Sequence, residues 1–289
     1  MDRGSSDYPK GCTLDGGAYV FLDSPAERGD GLWSGKQLGP SPRPVVIAFR
    51  WFDISEDLVD LLRREVPGIA PLLYIGSPDG YRRPTDEVHR AWDVAIVEAK
   101  PEGHHLGESG RLTAGEVVRL GLGLCDTIQS WASRFPITQG LRPETVYVTG
   151  DHGNRRYSGS TPRAALVLGY GPSYWAFPGE TYDPPAANTT IDIALDDALF
   201  TVAMILWFAL LGEHPYKLPD RPSIDDNIWE DRRRPFTGPP ELGRLFDRVL
   251  VADIDKRMKT HEFKDELTRL ARAWNVELPP FPPPGLAAP

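Results

Sequence analysis

The chain has 289 residues, 40% of them hydrophobic and 25% charged, with a formal net charge of −9. That length buries a sizeable core, as one large domain or as two lobes around a cleft, and the composition is that of a soluble globular protein. The negative balance argues against a general nucleic-acid or anionic-membrane surface, since both need a positive field. Only two cysteines occur, Cys12 and Cys125. They build neither a disulfide framework nor a thiolate metal site, and a reducing, cytoplasmic setting is expected. The six histidines include the pair His104-His105 but no H-E-x-x-H or Cys/His cluster, so no zinc site is expected. Arginine far exceeds lysine, and Ala, Gly and Pro are abundant, which points to a GC-rich bacterial genome and bears on origin alone.

In chain order, residues 1–11 are polar, lack the apolar core of a signal peptide and read as disordered. Residues 12–23 read as a strand, a Gly16-Gly17 turn and a returning strand. Residues 24–44 hold several Gly and Pro and read as a connection enclosing a short strand near Leu32–Leu38. The β-branched run Val45–Trp51 is a strand. Ser55–Glu65 fits a helix with Ser55 as N-cap and Leu58, Leu61 and Leu62 at helical spacing. Strands follow at Leu72–Ile75 and Ala95–Val97, the second leading into a Pro/Gly turn.

Thr113–Arg134 is an amphipathic helix. Thr113 and Glu116 form a capping box, and Val117, Leu120, Leu124, Ile128 and Trp131 recur at helical spacing. Cys125 lies beside that stripe as a small apolar residue. Short strands are expected at Val146–Val148 and Ala164–Leu168. Asp196–Leu211 is apolar on nearly every side; its run of about 14 apolar residues is shorter than the roughly 20 that span a bilayer, so it reads as a buried core helix. Helices at Glu241–Val251 and His261–Trp274 precede a proline-rich tail, 276–289, polyproline-like in character.

The order of these segments resembles the eukaryotic-type protein kinases. Leu141, Arg142, Pro143 and Glu144 fall where L-K-P-E falls in the catalytic segment H-R-D-L-K-P-E-N-I-L-V, and Val146–Val148 match its strand. Ile47-Ala48-Phe49-Arg50 resembles V-A-I-K. Glu98–Gly103 resembles the hinge between lobes, with Val97 guarding the back of the cleft and Lys100 beside it. Gly16, Gly17 and Val20 are the only residues of the first hairpin that fit a phosphate-covering G-x-G-x-x-G-x-V. Asp196–Leu211 with Gly212–Tyr216 resembles the buried central helix S-D-V-W-S-x-G-V-I-L-Y-E-L-L-T-G-x-x-P-F. Asp255-Lys256-Arg257 resembles the closing D-P-x-x-R. The resemblance implies an α+β, two-lobed protein-kinase-like fold over 12–275: an antiparallel-sheet N-lobe with one helix (12–98), a hinge (98–103) and a mainly helical C-lobe (104–275).

The residues that would carry chemistry depart from the family pattern. Gly140 stands for the catalytic Asp, Thr145 for the metal-binding Asn, Gly169-Tyr170-Gly171 for D-F-G, and Arg50 for the phosphate-gripping Lys. A guanidinium is planar and bulky where the lysine is a compact point charge. Mg²⁺ wants carboxylate or amide oxygens, and Gly169 offers no side chain while Thr145 offers a neutral hydroxyl; Gly140 can neither accept the substrate proton nor orient the substrate hydroxyl. Ala198 takes the place of the Asp that tethers the catalytic loop. The activation-segment anchor fits two registers, at Glu180, where it would pair with Arg257, or at Pro184-Pro185-Ala186, where that acid is lost.

The resemblance therefore implies a pseudokinase: a protein-binding, scaffolding or regulatory module, with no metal, no cofactor, a protein partner, no nucleic acid and no membrane insertion. Two other readings stand beside it. An atypical nucleotide-using transferase with rearranged groups would use Arg50 and Arg142, each of which also reads as a structural arginine. The cleft of such a fold would also accommodate another small molecule, or be filled by Tyr170, Tyr174, Trp175 and Phe177. Asp225–Arg234 reads equally as an exposed docking feature and as a solvated loop with local ion pairs.

Overall fold

The computed structural model describes residues 13–22, 33–50, 70–76, 79, 94–100, 104–132, 141, 143, 145–148, 164–166, 191–216, 233–251 and 253–278, without the side chains of 33, 48–50, 94, 96, 109, 130–132, 164–166, 191–197 and 254. The expected helix at Ser55–Glu65, the activation segment, most of the Asp225–Arg234 stretch and the proline-rich tail beyond Leu278 lie outside that set. The chain divides into two compact units, one of Met1–Glu65, Ala70–Pro101 and Val167–Pro178, the other of Val66–Ile69, Glu102–Leu166 and Gly179–Pro289.

The first unit is built on a six-stranded antiparallel sheet. Its strands are β1 (Thr13–Leu14), β2 (Tyr19–Phe21), β3 (Trp33–Gln37), β4 (Arg43–Arg50), β5 (Leu72–Gly76) and β6 (Val94–Ala99), in the spatial order β1-β2-β3-β4-β6-β5. The β-branched run of β4 places it centrally, between β3 and β6, with Ile47 opposite both Trp33 and Val97. Alternation decides which face is buried: Tyr19 and Phe21 turn inward from β2 while Val20 between them is half-buried. With Leu14, Val45, Ile47, Ala95 and Val97 they form one apolar cluster, and Ala18, Leu73 and Tyr74 pack against it. Gly35 lies in β3 between Phe21 and Val45. A Cβ there would meet Ile47 Cδ1 at 2.6 Å and Val45 Cγ2 at 2.9 Å, so glycine lets those side chains lie flat on the strand.

The second unit carries five helices among its described residues: α1 (Leu106–Ser109), α2 (Ala114–Ala132), α3 (Ile191–Leu211), α4 (Pro240–Val249) and α5 (Thr260–Ala273). It also holds a 3-10 turn at Ile254–Lys256 and a small sheet of β7 (His104–His105), β8 (Val146–Val148) and β9 (Ala164–Leu166) in that order. The capping box of α2 is present: the Glu116 carboxylate accepts from the Thr113 N–H and hydroxyl, both at 2.7 Å, and the Glu116 N–H donates to Thr113 Oγ1 at 3.4 Å. At α5 the Glu262 carboxylate accepts from the Lys259 N–H at 3.0 Å.

Helix α3 begins at Ile191, five residues before the expected Asp196, because nothing between the two positions is a Gly or Pro that would stop it. Asp196 and Asp197 thus lie inside the helix rather than at its start. Every residue from Ala198 to Trp207 is buried, and α2, α4, α5 and the 3-10 turn pack around it. Trp207 sits in an aromatic cluster, 4.9 Å from Phe236 and 5.7 Å from Phe246 between ring centroids. Lys264 on α5 reaches back to Asp126 and to Gln129 on α2, stapling those helices on their polar side.

The tightest helix approach is at Gly121 on α2, where a Cβ would meet Leu267 Cδ1 at 2.7 Å and Leu206 Cδ1 at 2.8 Å. Two residues on, nothing lies within 4 Å of a Cβ built at Gly123. Gly121→Ala is therefore expected to lower stability by about 1–3 kcal/mol through overpacking, against a helix-propensity gain of at most about 1 kcal/mol. Gly123→Ala, which takes the gain without the clash, should raise stability; chemical denaturation of the pair reads the opposite signs. By the same measurement, Thr113→Ala should cost about 1 kcal/mol by removing the cap.

Candidate functional site

The positions that the kinase resemblance singles out fall on both units, and each is placed by a local sequence reason. In the first unit Arg50 ends β4, its backbone paired with Val94; its side chain lies outside the described residues. Val97 is fully buried in β6 opposite Ile47, and Glu98, next in the strand, is 2% exposed and opposite both Val46 and Leu72. A carboxylate so enclosed has to be paired within the protein, and Glu98 does take part in such an interaction. Lys100 follows the strand, half-buried, with its N–H donating to the Pro44 carbonyl at 3.2 Å. The structure thus brings Val97, Glu98 and Lys100 to one end of β6, beside the start of β4. Residues 101–103 of the expected hinge lie outside the described set.

Gly16 and Gly17 form the β1–β2 turn, with φ of 62° and 92°. Asp15 before them is also left-handed, at φ 54°, a conformation that aspartate tolerates better than most residues. Their two N–H groups donate to the two carboxylate oxygens of Asp79, each at 2.8 Å. The Gly16 N–H, the Thr13 hydroxyl and the Gly17 N–H hold the Asp79 carboxyl below the usual carboxylate range. Burial, then the Asp15 carboxylate, push the Tyr19 and Tyr74 hydroxyls up, so both phenols stay neutral beside this turn. Val20 lies in β2, paired between Thr13 and Lys36.

Strand order adds a difference from the sequence expectation. In protein kinases the phosphate-gripping lysine sits on the third strand, and the glycine-rich loop covering the phosphates joins the two strands before it. Here Arg50 closes the fourth strand, because β1 adds an edge to the sheet. The Gly16-Gly17 turn therefore lies one hairpin too early, and the corresponding connection is that between β2 and β3, of which residues 23–32 lie outside the described set. The hairpin itself, a strand on either side of the Gly16-Gly17 turn, is the one read from the sequence.

In the second unit Thr145 directly precedes β8, as the resemblance requires, and is fully buried, with its interactions inside the protein. Leu141, four residues before it, is buried too. Gly140, Arg142, Gly169 and Gly171 lie outside the described residues, as do Glu180 and the alternative anchor at Pro184-Pro185-Ala186. β8 pairs with β9 on one side and with β7 on the other, His105 facing Tyr147. His105 Nε2 lies 3.0 Å from Glu108 Oε1, and its ring stands edge-on to Tyr147 at 6.1 Å.

At the position of the family's tethering acid, Ala198 is buried in α3 and offers only a methyl group. Arg257 is retained and buried: its Nε donates to the Val251 carbonyl at 2.7 Å, and its guanidinium lies 4.6 Å from the centroid of the Phe200 ring. Cys125 is fully buried, and that burial pushes its thiol up to about 12, which removes it as a nucleophile. Among the described residues no group of three His, Cys, Asp or Glu is arranged to hold a metal ion. No helix among them is long and apolar enough to cross a membrane.

Sequence reasoning missed Asp79. It is followed by Gly80, and an Asp-Gly pair reads only as a turn; its partners are 63 and 62 residues away. It also missed β7, a two-residue strand with no periodicity to detect.

No protein-family model matches the sequence, and no curated protein matches it. Among solved structures, the chain is similar to the crystal structure of the Rad53 kinase domain and SCD2 in complex with AMPPNP. The TM-score is 0.58, with 86% of this chain and 88% of that one covered, at 11% sequence identity. At that identity the likeness speaks to fold alone. With the antiparallel-sheet unit and the helical unit around a buried central helix, it shows that this chain has a protein-kinase-like fold.

Proposed function

We propose that this chain is a pseudokinase: a kinase-shaped protein-binding, scaffolding or regulatory module that does not carry out Mg-ATP-dependent phosphoryl transfer. The observation that carries the reading is Thr145. The position before the β8 strand, where a kinase presents an amide oxygen to Mg²⁺, holds a fully buried threonine, whose one side-chain oxygen is a neutral hydroxyl. The sequence adds three replacements of the same kind, Gly140, Gly169 and Arg50.

Phosphoryl transfer rests on positioning and on charge neutralisation by metal ions and cationic groups, so these losses fall on one cooperating unit. A hydroxyl in place of the amide at 145 and hydrogen in place of the carboxylate at 169 remove the oxygen ligands that a hard cation selects, and Gly140 offers no base for the substrate proton. What remains is a folded kinase-like frame, and such a scaffold serves recognition of a protein partner. Metal, nucleic acid and membrane have no part in this reading. A transferase using Arg50 and Arg142 remains the competing reading, and the same experiment detects it.

Purified protein incubated with labelled ATP and Mg²⁺ or Mn²⁺, alone and with general phosphoacceptor substrates, is expected to transfer no label above a protein-free control. Reproducible transfer that is abolished by Arg50→Ala or Arg142→Ala would overturn the proposal in favour of the transferase.

A further inference from the structure

The two ends of the strand order in the first unit, β1 and β5, are the edges of the sheet, yet they meet. The Asp79 N–H, beyond β5, donates to the Thr13 carbonyl of β1 at 3.0 Å. The rings of Tyr74 of β5 and Tyr19 of β2 meet at a tilt, with their centroids 5.8 Å apart. The sheet is coiled until one edge reaches the other, and Asp79 makes the polar part of that closure.

The chemistry at the junction is that of an anion site. Successive left-handed residues turn their N–H groups toward a common point, and such a nest binds anions by concentrating amide dipoles on them. Asp15, Gly16 and Gly17 are three residues of that kind, with the Ala18 N–H closing the turn on the Asp15 carbonyl at 3.1 Å. Nothing lies within 4 Å of a Cβ at Gly16 or Gly17. Packing therefore does not call for glycine there; the positive φ does. The nest is occupied: one carboxylate accepts from both glycine N–H groups, one oxygen to each, and also accepts from the Thr13 hydroxyl. That carboxylate stands in for the oxyanion of an external ligand, and its side chain is exposed, so solvent anions have steric access to the site.

We propose that the Asp15–Ala18 turn is an oxyanion-binding nest which the chain fills with its own Asp79, forming a clasp that joins the two edges of the sheet and keeps external carboxylates and phosphates out. The clasp belongs to the sheet's own geometry and stands whether or not the chain retains phosphoryl transfer. Asp15, in the turn itself, adds negative charge and reinforces exclusion. Thr13 and Tyr74, the other side chains turned toward the clasp, are neutral. Charge-assisted acceptance from amides is the stronger kind of hydrogen bond, and tethering Asp79 on the sheet gives it an effective concentration that a dissolved anion must match.

The test uses the full chain with ¹⁵N-glycine labelling, and acetate and inorganic phosphate as separate probes against chloride at matched ionic strength. In the unsubstituted protein the Gly16 and Gly17 amide resonances should not move with either anion. In Asp79→Ala they should shift on loss of the carboxylate and then move back saturably, with at least about tenfold tighter apparent binding than in the unsubstituted protein. The melting temperature of Asp79→Ala should fall, and acetate or phosphate should restore part of the loss while chloride does not. Asp79→Asn, which keeps one acceptor, should lie between the two and serves if the alanine variant does not fold. Rescue by acetate alone marks a carboxylate site, and rescue by phosphate a site that also takes phosphoryl groups; both support the nest. Amides that move equally in the unsubstituted protein, or that never respond in either variant, would overturn the proposal.

Discussion

A helix with no polar face must be enclosed, and the second unit follows from that constraint. Over Ala198–Trp207 helix α3 leaves nothing exposed, so each side needs an apolar partner; fully burying a large aliphatic or aromatic side chain is worth about 1.5–3 kcal/mol. Helix α2 supplies one wall, and it comes close only because Gly121 leaves room for Leu206 and Leu267. Helix α4 supplies another through Phe246, on which Trp207 and Phe236 both pack. Arg257 belongs to the same shell, covering the Phe200 ring with its guanidinium. Tyr216 stacks on Phe200, and its hydroxyl donates to the Leu250 carbonyl at 3.4 Å. The short segments around α3 are fixed by what they cover.

The first unit solves the opposite problem. An open antiparallel sheet has two edges with unpaired N–H and C=O groups, and an exposed edge invites pairing with other chains. Here the strands coil until the edges meet, with the polar junction made by one carboxylate in a turn of three left-handed residues. A glycine pair near the start of a kinase-like domain invites a phosphate-covering reading. The same pair serves sheet closure in this chain, because its donors are committed to Asp79 and its hairpin precedes the expected one.

Most of the fold was legible wherever one physical rule acted locally. The capping residues Thr113 and Glu116 announced α2; the β-branched run at 45–50 announced β4; the all-round apolar run announced α3. What was not legible depended on distant partners or on elements too short for a period. The strand at His104–His105 and the Asp79 clasp are of that kind, since a two-residue strand carries no alternation and an aspartate before glycine looks like any turn. Of the candidate site, the placement of Thr145 ahead of β8 and of Val97 and Glu98 in β6 was legible. The burial of Glu98 was not, because nothing in a single strand's sequence distinguishes a carboxylate turned inward from one turned to water.

The central claim is that this kinase-like frame has lost the metal-dependent part of its chemistry, and the metal dependence of nucleotide affinity tests it most directly. Calorimetric titration of ATP into the protein, with Mg²⁺ and with a chelator, separates a protein that merely binds an adenine nucleotide from one that assembles a phosphoryl-transfer site. Mg²⁺ bound between nucleotide and protein would tighten the complex by the coupling between the two ligands. The account predicts that ATP affinity, if measurable, is the same with and without the metal. An increase of about tenfold or more on adding Mg²⁺, a coupling of about 1.4 kcal/mol, would contradict it.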